Sequence, residues 1–175
     1  LGIPLAIVAI LTQRAVSGQF NFAPKAAAFK EALDPSFIEY SKQTLKNAKA
    51  LCDKLKENNF KVVSGDTDCH MILLDLTNKN LTGKLTEETL DEAGITCNKN
   101  SVPFDKQSPF VTSGIRIGSA ACTTRGFKEE EFIYIGKLIN DVIVALQTEN
   151  EANIANTKKE VRKKVKQLCD NFPIY

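Results

Sequence analysis

Residues 60–76, FKVVSGDTDCHMILLDL, contain two predicted strands and the turn that joins them. Residues 60–63 form a short strand, and residues 64–68 (SGDTD) have the composition of a turn. Residues 70–76 (HMILLDL) are an almost unbroken apolar run, which is typical of a strand buried on both faces. The middle of the chain is therefore predicted to lie in a β-sheet.

Helices are predicted on both sides of this region. Asp34 is an N-cap acceptor followed by Pro35 at the first helical position, so a helix starts there and stops near residues 58–59. Its expected inward face carries Phe37, Leu45, Ala48, Cys52 and Leu55.

The elements after residue 76 complete the predicted fold. They are a helix over 86–93 closed by Gly94, an extended segment 95–97, a loop over 98–113, a strand over 114–118 (GIRIG), and helices over 128–147 and about 153–168. This order predicts an α+β fold, a two-layer sandwich with helices packed on one face of a small, mostly antiparallel sheet. A loop as long as 98–113 inside a compact domain is typical of a functional segment.

Composition excludes several classes of protein. The 175 residues include 23 Lys+Arg and 21 Asp+Glu, and a net charge of +2 gives no reason to expect nucleic-acid binding. Five widely spaced cysteines with a single histidine exclude a Cys/His zinc site, and no metal site is expected. The cysteines are interpreted as reduced core thiols of a cytoplasmic protein, and no apolar run approaches the length of a membrane span.

The first 23 residues form a separate, divergent stretch without an assigned role. The chain starts at Leu1 rather than Met, which we interpret as a fragment, a processed product or an excised piece. Residues 1–11 (LGIPLAIVAIL) are apolar, but Pro4 interrupts them and no basic segment precedes them. We interpret them as a buried edge of something larger rather than as a signal peptide.

Arg116 carries the sharpest chemical signal. It stands between Ile115 and Ile117 in the predicted strand, so its side chain points away from the face that the isoleucines occupy. A guanidinium can hold a carboxylate through two parallel hydrogen bonds. The same spacing fits an arginine paired with an acid of its own domain, and the sequence does not separate these two interpretations.

Other residues give weaker chemical signals than Arg116. His70 beside an apolar strand is interpreted as a core or turn histidine rather than a general base, and Arg125 as structural. The glycine-containing turns lack the order of phosphate-binding loops. Residues 158–166 (KKEVRKKVK) are interpreted as a solvated helix face whose buried side is marked by Val161 and Val165. No cysteine has a basic partner in sequence, so none is predicted to be a nucleophile.

Several consecutive stretches resemble one enzyme family over residues 24–175. They are AAAFKEALDPSF (26–37), NAKAL (47–51), KVVSGDTDCHMILLDL (61–76), LTGK (81–84), residues 90–132 with NKNSVPFDKQSPFVTSGIRIG (98–118) inside them, and LCDNFPIY (168–175). These stretches resemble the carboxy-terminal third of serine hydroxymethyltransferase, a pyridoxal-phosphate enzyme that interconverts serine and glycine with tetrahydrofolate. The resemblance implies the small C-terminal domain of a fold-type I pyridoxal-phosphate enzyme.

The resemblance also implies roles for particular residues. Arg116 matches the arginine that holds the carboxylate of serine or glycine, and such a grip orients the substrate against the cofactor. Asn100 and the segment Ser108, Pro109 and Phe110 match the part that lines the tetrahydrofolate pocket. An asparagine suits a pterin edge because it both donates and accepts hydrogen bonds. The implied partners are serine, glycine and folate, with a homodimer or tetramer in the intact parent and no nucleic acid or membrane.

The departures from the family pattern qualify these expectations. Asp66 replaces a glycine, which would strain the turn if that position has a positive φ. The lysine that binds the cofactor covalently and its threonine-rich motif are not found in this chain, and the family carries them in its amino-terminal domain. We expect the chain alone to be catalytically silent. Two alternatives stay open, a truncated pseudoenzyme or binding module and, ranked last, the small domain of a related aminotransferase.

Overall fold

The computed structural model describes residues 22–173, with side chains described from Lys25 onward. The predictions made for residues 1–21 lie outside the described residues. Within residues 22–173, no helix is both long and apolar enough to cross a membrane. The described part is an α+β domain with helices packed on one side of a four-stranded sheet.

The sheet is antiparallel throughout, and its strands lie in the order β1-β2-β4-β3. The strands are β1 (Lys61–Val62), β2 (Met71–Asp75), β3 (Asn98–Asn100) and β4 (Gly114–Gly118). In the register of the two central strands, Ile72 lies opposite Ile117 and Leu74 lies opposite Ile115. The short strands β1 and β3 form the two edges.

The part of the chain that the structure describes contains six α-helices. They are α1 (Phe22–Ala32), α2 (Pro35–Glu57), α3 (Gly83–Glu92), α4 (Ala120–Thr124), α5 (Glu129–Gln147) and α6 (Glu151–Asp170). The side chain of Asp34 accepts a hydrogen bond from the Ser36 backbone N–H at 2.8 Å, which caps α2 as predicted. Gly94 follows α3 with a φ of 85°, a conformation that favours glycine.

The core lies between the sheet and the helices. Leu74 and Ile115 are fully buried, and Ile72 and Ile117 are nearly so. They belong to the same buried cluster as Leu51 and residues of α5 and α6. On the opposite face Met71 and Leu73 are only half-buried and Arg116 is exposed, so the described residues leave that face open. The prediction that residues 70–76 are buried on both faces is therefore wrong.

Other boundaries also differ from the predictions. The first three residues of the predicted loop form the edge strand β3, and α3 begins at Gly83 rather than at residue 86. Leu45 was predicted to face inward but is 45% exposed. The inner positions of α2 include Asn47, whose amide donates to Thr123 Oγ1 at 2.8 Å and to the Phe127 carbonyl oxygen at 2.9 Å. The helices α1 and α4 were not predicted.

Candidate functional site

Arg116 lies at the centre of the open sheet face. Its neighbours in β4, Ile115 and Ile117, are buried under the helices, so strand alternation directs the arginine the other way, as predicted. Across the strands it lies opposite Leu73 of β2 and Asn98 of β3. The guanidinium thus stands on a face whose nearest register positions carry an apolar and an amide side chain.

Within the described part of the chain, Arg116 forms no ion pair with an acid. The acid on the same face of the sheet is Asp75, which accepts from Lys61 Nζ at 2.7 Å and from Thr77 Oγ1 at 2.6 Å. Burial raises the pKa of Asp75, but the hydrogen bonds from Lys61 and Thr77 outweigh it, and the net pKa is lowered. The ionised Asp75 is therefore already paired.

Asn100 lies on the same sheet face as Arg116, two residues along β3 from the position opposite the arginine. It pairs with Gly114 in the β3–β4 register, while Asn98 pairs with Arg116. The Asn100 side-chain amide donates to the Ser101 carbonyl oxygen at 2.7 Å, and its oxygen is left to accept. Asn98 was missed by the sequence analysis, because its position became evident only from the strand register.

The loop between β3 and β4 is organised by one carboxylate. Asp105 accepts hydrogen bonds from Ser113 Oγ at 2.6 Å, from the Ser113 N–H and Gln107 N–H at 2.9 Å each, and from the Val102 N–H at 3.2 Å. The hydrogen bond from Ser113, together with those of the backbone, lowers the pKa of Asp105 to about 2. The two ends of the loop are therefore tied to each other through an ionised group.

Ser108, Pro109 and Phe110 form an exposed turn of this loop. The Ser108 carbonyl oxygen accepts from the N–H groups of residues 111 and 112, and Phe110 is 83% exposed. Residues 108–110 make no hydrogen bond to Arg116 or Asn100 in the described structure. The structure thus brings Arg116 and Asn100 to one face of the sheet, whereas residues 108–110 lie in an exposed turn of the loop.

The base of the loop is attached to the start of α3. The N–H groups of Gly83 and Lys84 donate to the carbonyl oxygens of Thr112 and Val111, each at 2.9 Å. A Cβ at Gly83 would lie 2.3 Å from the Gly114 carbonyl oxygen, so this approach requires glycine. The segment 81–84 therefore supports the loop and β4 from one side.

The predicted strain at Asp66 is not found. Positive φ values in this turn occur at Ser64 and Gly65 and not at Asp66. Asp66 instead binds Lys49 Nζ at 2.7 Å, and this hydrogen bond is the largest cause that lowers its pKa to about 2. Cys52, Asp53 and Asp66 converge closely enough to ligate a cation, but the Lys49 ammonium already pairs with both carboxylates.

The remaining candidates have structural positions. The Arg125 guanidinium donates to the carbonyl oxygens of Phe172 at 2.8 Å and Cys169 at 3.1 Å, so it closes the C-terminal end of α6, and its interpretation as structural is confirmed. His70 is exposed beside the turn. All five cysteines are free; Cys97 is buried, and burial raises its pKa to about 12. Cys69 is exposed, so its assignment to the core is wrong.

Comparisons with known proteins point to one family. The family model described as serine hydroxymethyltransferase matches residues 15–139. The chain is similar to a serine hydroxymethyltransferase of Novosphingobium aromaticivorans, with 53% identity over 153 residues that cover 87% of this chain and 35% of that protein. A serine hydroxymethyltransferase of Rickettsia akari is 48% identical over 153 residues, covering 87% of this chain and 36% of that protein. The chain therefore spans about a third of the length of the curated relatives it matches.

Proposed function

The chain belongs to the serine hydroxymethyltransferase family, and from this premise we propose that it is the part of such an enzyme that holds the substrate carboxylate and part of the folate. The reaction is the interconversion of serine and tetrahydrofolate with glycine and 5,10-methylenetetrahydrofolate. It is a glycine hydroxymethyltransferase reaction, which serves one-carbon metabolism and the biosynthesis of glycine.

One observation carries the proposal. The Arg116 guanidinium is exposed on the open face of the sheet, and none of the ion pairs of the described residues includes it. Asp75, the acid on that face, is paired with Lys61 and Thr77. A guanidinium with five donors and no acidic partner among residues 25–173 fits an external carboxylate, which it would hold in two parallel hydrogen bonds.

Arg116 would act by orienting the amino acid. A carboxylate held at two points cannot rotate freely, so the groups attached to the α-carbon take a fixed direction. The burial of Ile115 and Ile117 sets the sheet face from which the arginine side chain projects. Its role is binding and orientation, and it moves no proton.

Asn100 and the turn 108–110 would contact the folate. Asn100 shares the face of Arg116, so a ligand held by Asn100 lies near the amino acid held by the arginine. Its side chain offers both a donor and an acceptor to a pterin edge. The exposed Phe110 and the Ser108–Pro109 backbone would line the same pocket.

Pyridoxal phosphate would supply the electron-withdrawing ring that activates the α-carbon. Its covalent anchor is a lysine that loses its proton readily, and burial favours that state. No lysine among residues 25–173 is buried, so the described residues do not fit that role. We derive no step through the cofactor and propose that other parts of the enzyme bind it, and that the 175-residue chain alone is inactive.

The intact parent is proposed to be a homodimer or a tetramer that binds neither nucleic acid nor membrane. Five free thiols fit a reducing compartment, which supports a cytoplasmic location.

Arg116→Lys in the full-length protein that carries this chain tests the proposal. The ammonium keeps the charge but loses the two-point grip, so kcat/KM for serine should fall by roughly 100-fold or more. Arg162→Lys is the matched control, because Arg162 is an exposed arginine that donates to the Glu92 carbonyl oxygen on α3. Activity within about threefold of the parent in the Arg116→Lys protein would make Arg116 a structural residue.

A further inference from the structure

Glu87 connects helix α3 to the edge strand that carries Asn100. One carboxylate oxygen, Oε1, accepts from the Lys99 backbone N–H at 3.0 Å, and the other, Oε2, accepts from Lys99 Nζ at 3.1 Å. The Glu87 side chain is 23% exposed. Burial raises its pKa, but the hydrogen bonds from the Lys99 N–H and ammonium outweigh it, so the net pKa is lowered and Glu87 is ionised at neutral pH.

The backbone contact closes the free edge of the sheet. Successive N–H groups of a strand point in opposite directions, so the Lys99 N–H, which meets Glu87, points away from β4. Asn98 and Asn100 therefore direct their backbone groups toward β4. A three-residue edge strand makes few hydrogen bonds to the rest of the sheet. The Glu87 carboxylate accepts from its outward N–H group, in the place that a further strand would otherwise occupy.

The two site strands depend on this contact to different degrees. Strand β4, which carries Arg116, pairs with β2 along its whole length and with β3 on the other side. In the described sheet, strand β3, which carries Asn100, pairs only with β4. Loosening the outer edge should therefore displace Asn100 more than Arg116.

We propose that Glu87 is a positioning residue for the folate side of the site: its carboxylate fixes β3 on α3 and thereby sets where Asn100 meets tetrahydrofolate. The inference rests on the proposed function. The backbone hydrogen bond is the part that matters, and the ion pair with the Lys99 side chain, which is about one-third exposed, contributes little.

The test measures KM for tetrahydrofolate and for serine in the full-length holoenzyme that contains this chain. Glu87→Ala should raise KM for tetrahydrofolate roughly tenfold, with KM for serine within about twofold of the parent. Glu87→Gln keeps an acceptor for the Lys99 N–H, and Lys99→Met removes only the ammonium, so both should stay within about threefold. Glu88→Ala is the matched control, because Glu88 is exposed and its ion pair among the described residues is a long one, 4.0 Å to Lys84 Nζ.

A second readout does not depend on activity. In Glu87→Ala, the Lys99 amide should lose its protection from hydrogen exchange, whereas Glu88→Ala should leave it unchanged. The proposal is overturned if Glu87→Ala leaves KM for tetrahydrofolate within about twofold, or shifts both KM values equally. If Glu87→Ala does not fold, a tenfold rise in Glu87→Gln with Lys99 still protected would overturn it as well. Failure of the proposed function would show instead as an unaffected Arg116→Lys enzyme.

Discussion

Replacing Gly114 with alanine should destabilise the sheet by about 1–2.5 kcal/mol. A Cβ at this position would lie 2.5 Å from the Leu74 carbonyl oxygen, 2.7 Å from Val102 Cγ1 and 3.0 Å from the Asn100 carbonyl oxygen. Two of these three atoms belong to the backbones of the neighbouring strands. No side-chain rotation can relieve those contacts, so β4 must separate from β2 and β3.

The magnitude follows from the balance of two effects. Ordinary contacts begin at 3.4 Å, so the Leu74 carbonyl must retreat by about 0.9 Å, and overpacking of this kind costs about 1–3 kcal/mol. Alanine would otherwise be favoured over glycine in a strand by about 0.5–1 kcal/mol. Because the obstacles are backbone atoms on both sides, we take the upper part of the overpacking range, about 2–3 kcal/mol. Subtracting the alanine gain leaves a net loss of about 1–2.5 kcal/mol.

Gly118→Ala in the same strand is the control. The nearest atom to a Cβ there is the His70 carbonyl oxygen at 3.7 Å, which is an ordinary contact. Its free energy of unfolding should stay within about 0.5 kcal/mol of the parent. Urea unfolding of both variants, followed by circular dichroism, makes the comparison, and Gly114→Ala should also melt roughly 2–10 °C lower. Equal stability of the two variants would refute the packing argument.

Two further predictions concern the ends of α6 and the loop. Arg125→Ala should lower the free energy of unfolding by about 2 kcal/mol, because the carbonyl oxygens of Cys169 and Phe172 lose a charged donor. Urea unfolding measures this loss, and an unchanged urea midpoint would contradict the prediction. Asp105, whose pKa is lowered from 3.8 to about 2, stabilises the loop fully above about pH 4, and this contribution is lost as pH falls through about 2. The amide shift of Ser113, followed by NMR, should titrate with that low midpoint, and a midpoint at 3.8 would show that Asp105 does not hold the loop.

Much of the architecture could be predicted because it follows from periodicity and capping. The direction of Arg116 follows from alternation with two isoleucines, and the start of α2 follows from Asp34 and Pro35. Edge strand β3 could not be predicted, because it is three polar residues held by register and by Glu87 rather than by an apolar pattern. Tertiary contacts, rather than the local sequence, determine whether such a segment forms a strand.

The inner face of α2 was predicted only in part. Ala48, Cys52 and Leu55 are buried as expected, but Leu45 is exposed. The polar Asn47 is fully buried because it binds Thr123 Oγ1 and the Phe127 carbonyl oxygen in the segment that follows β4. A hydrophobic pattern does not show a buried amide whose partners are about 80 residues away along the chain.

Alternation in β4 couples the direction of Arg116 to the packing of the core. Sliding this strand by one position against β2 would turn Arg116 inward and expose Ile115 and Ile117. Re-exposing two isoleucines costs about 3–6 kcal/mol, before the penalty for burying a guanidinium is added. The misregistered sheet is thus far less populated than the native one. The two isoleucines that pack in the core therefore also determine the sheet face on which the positive charge lies.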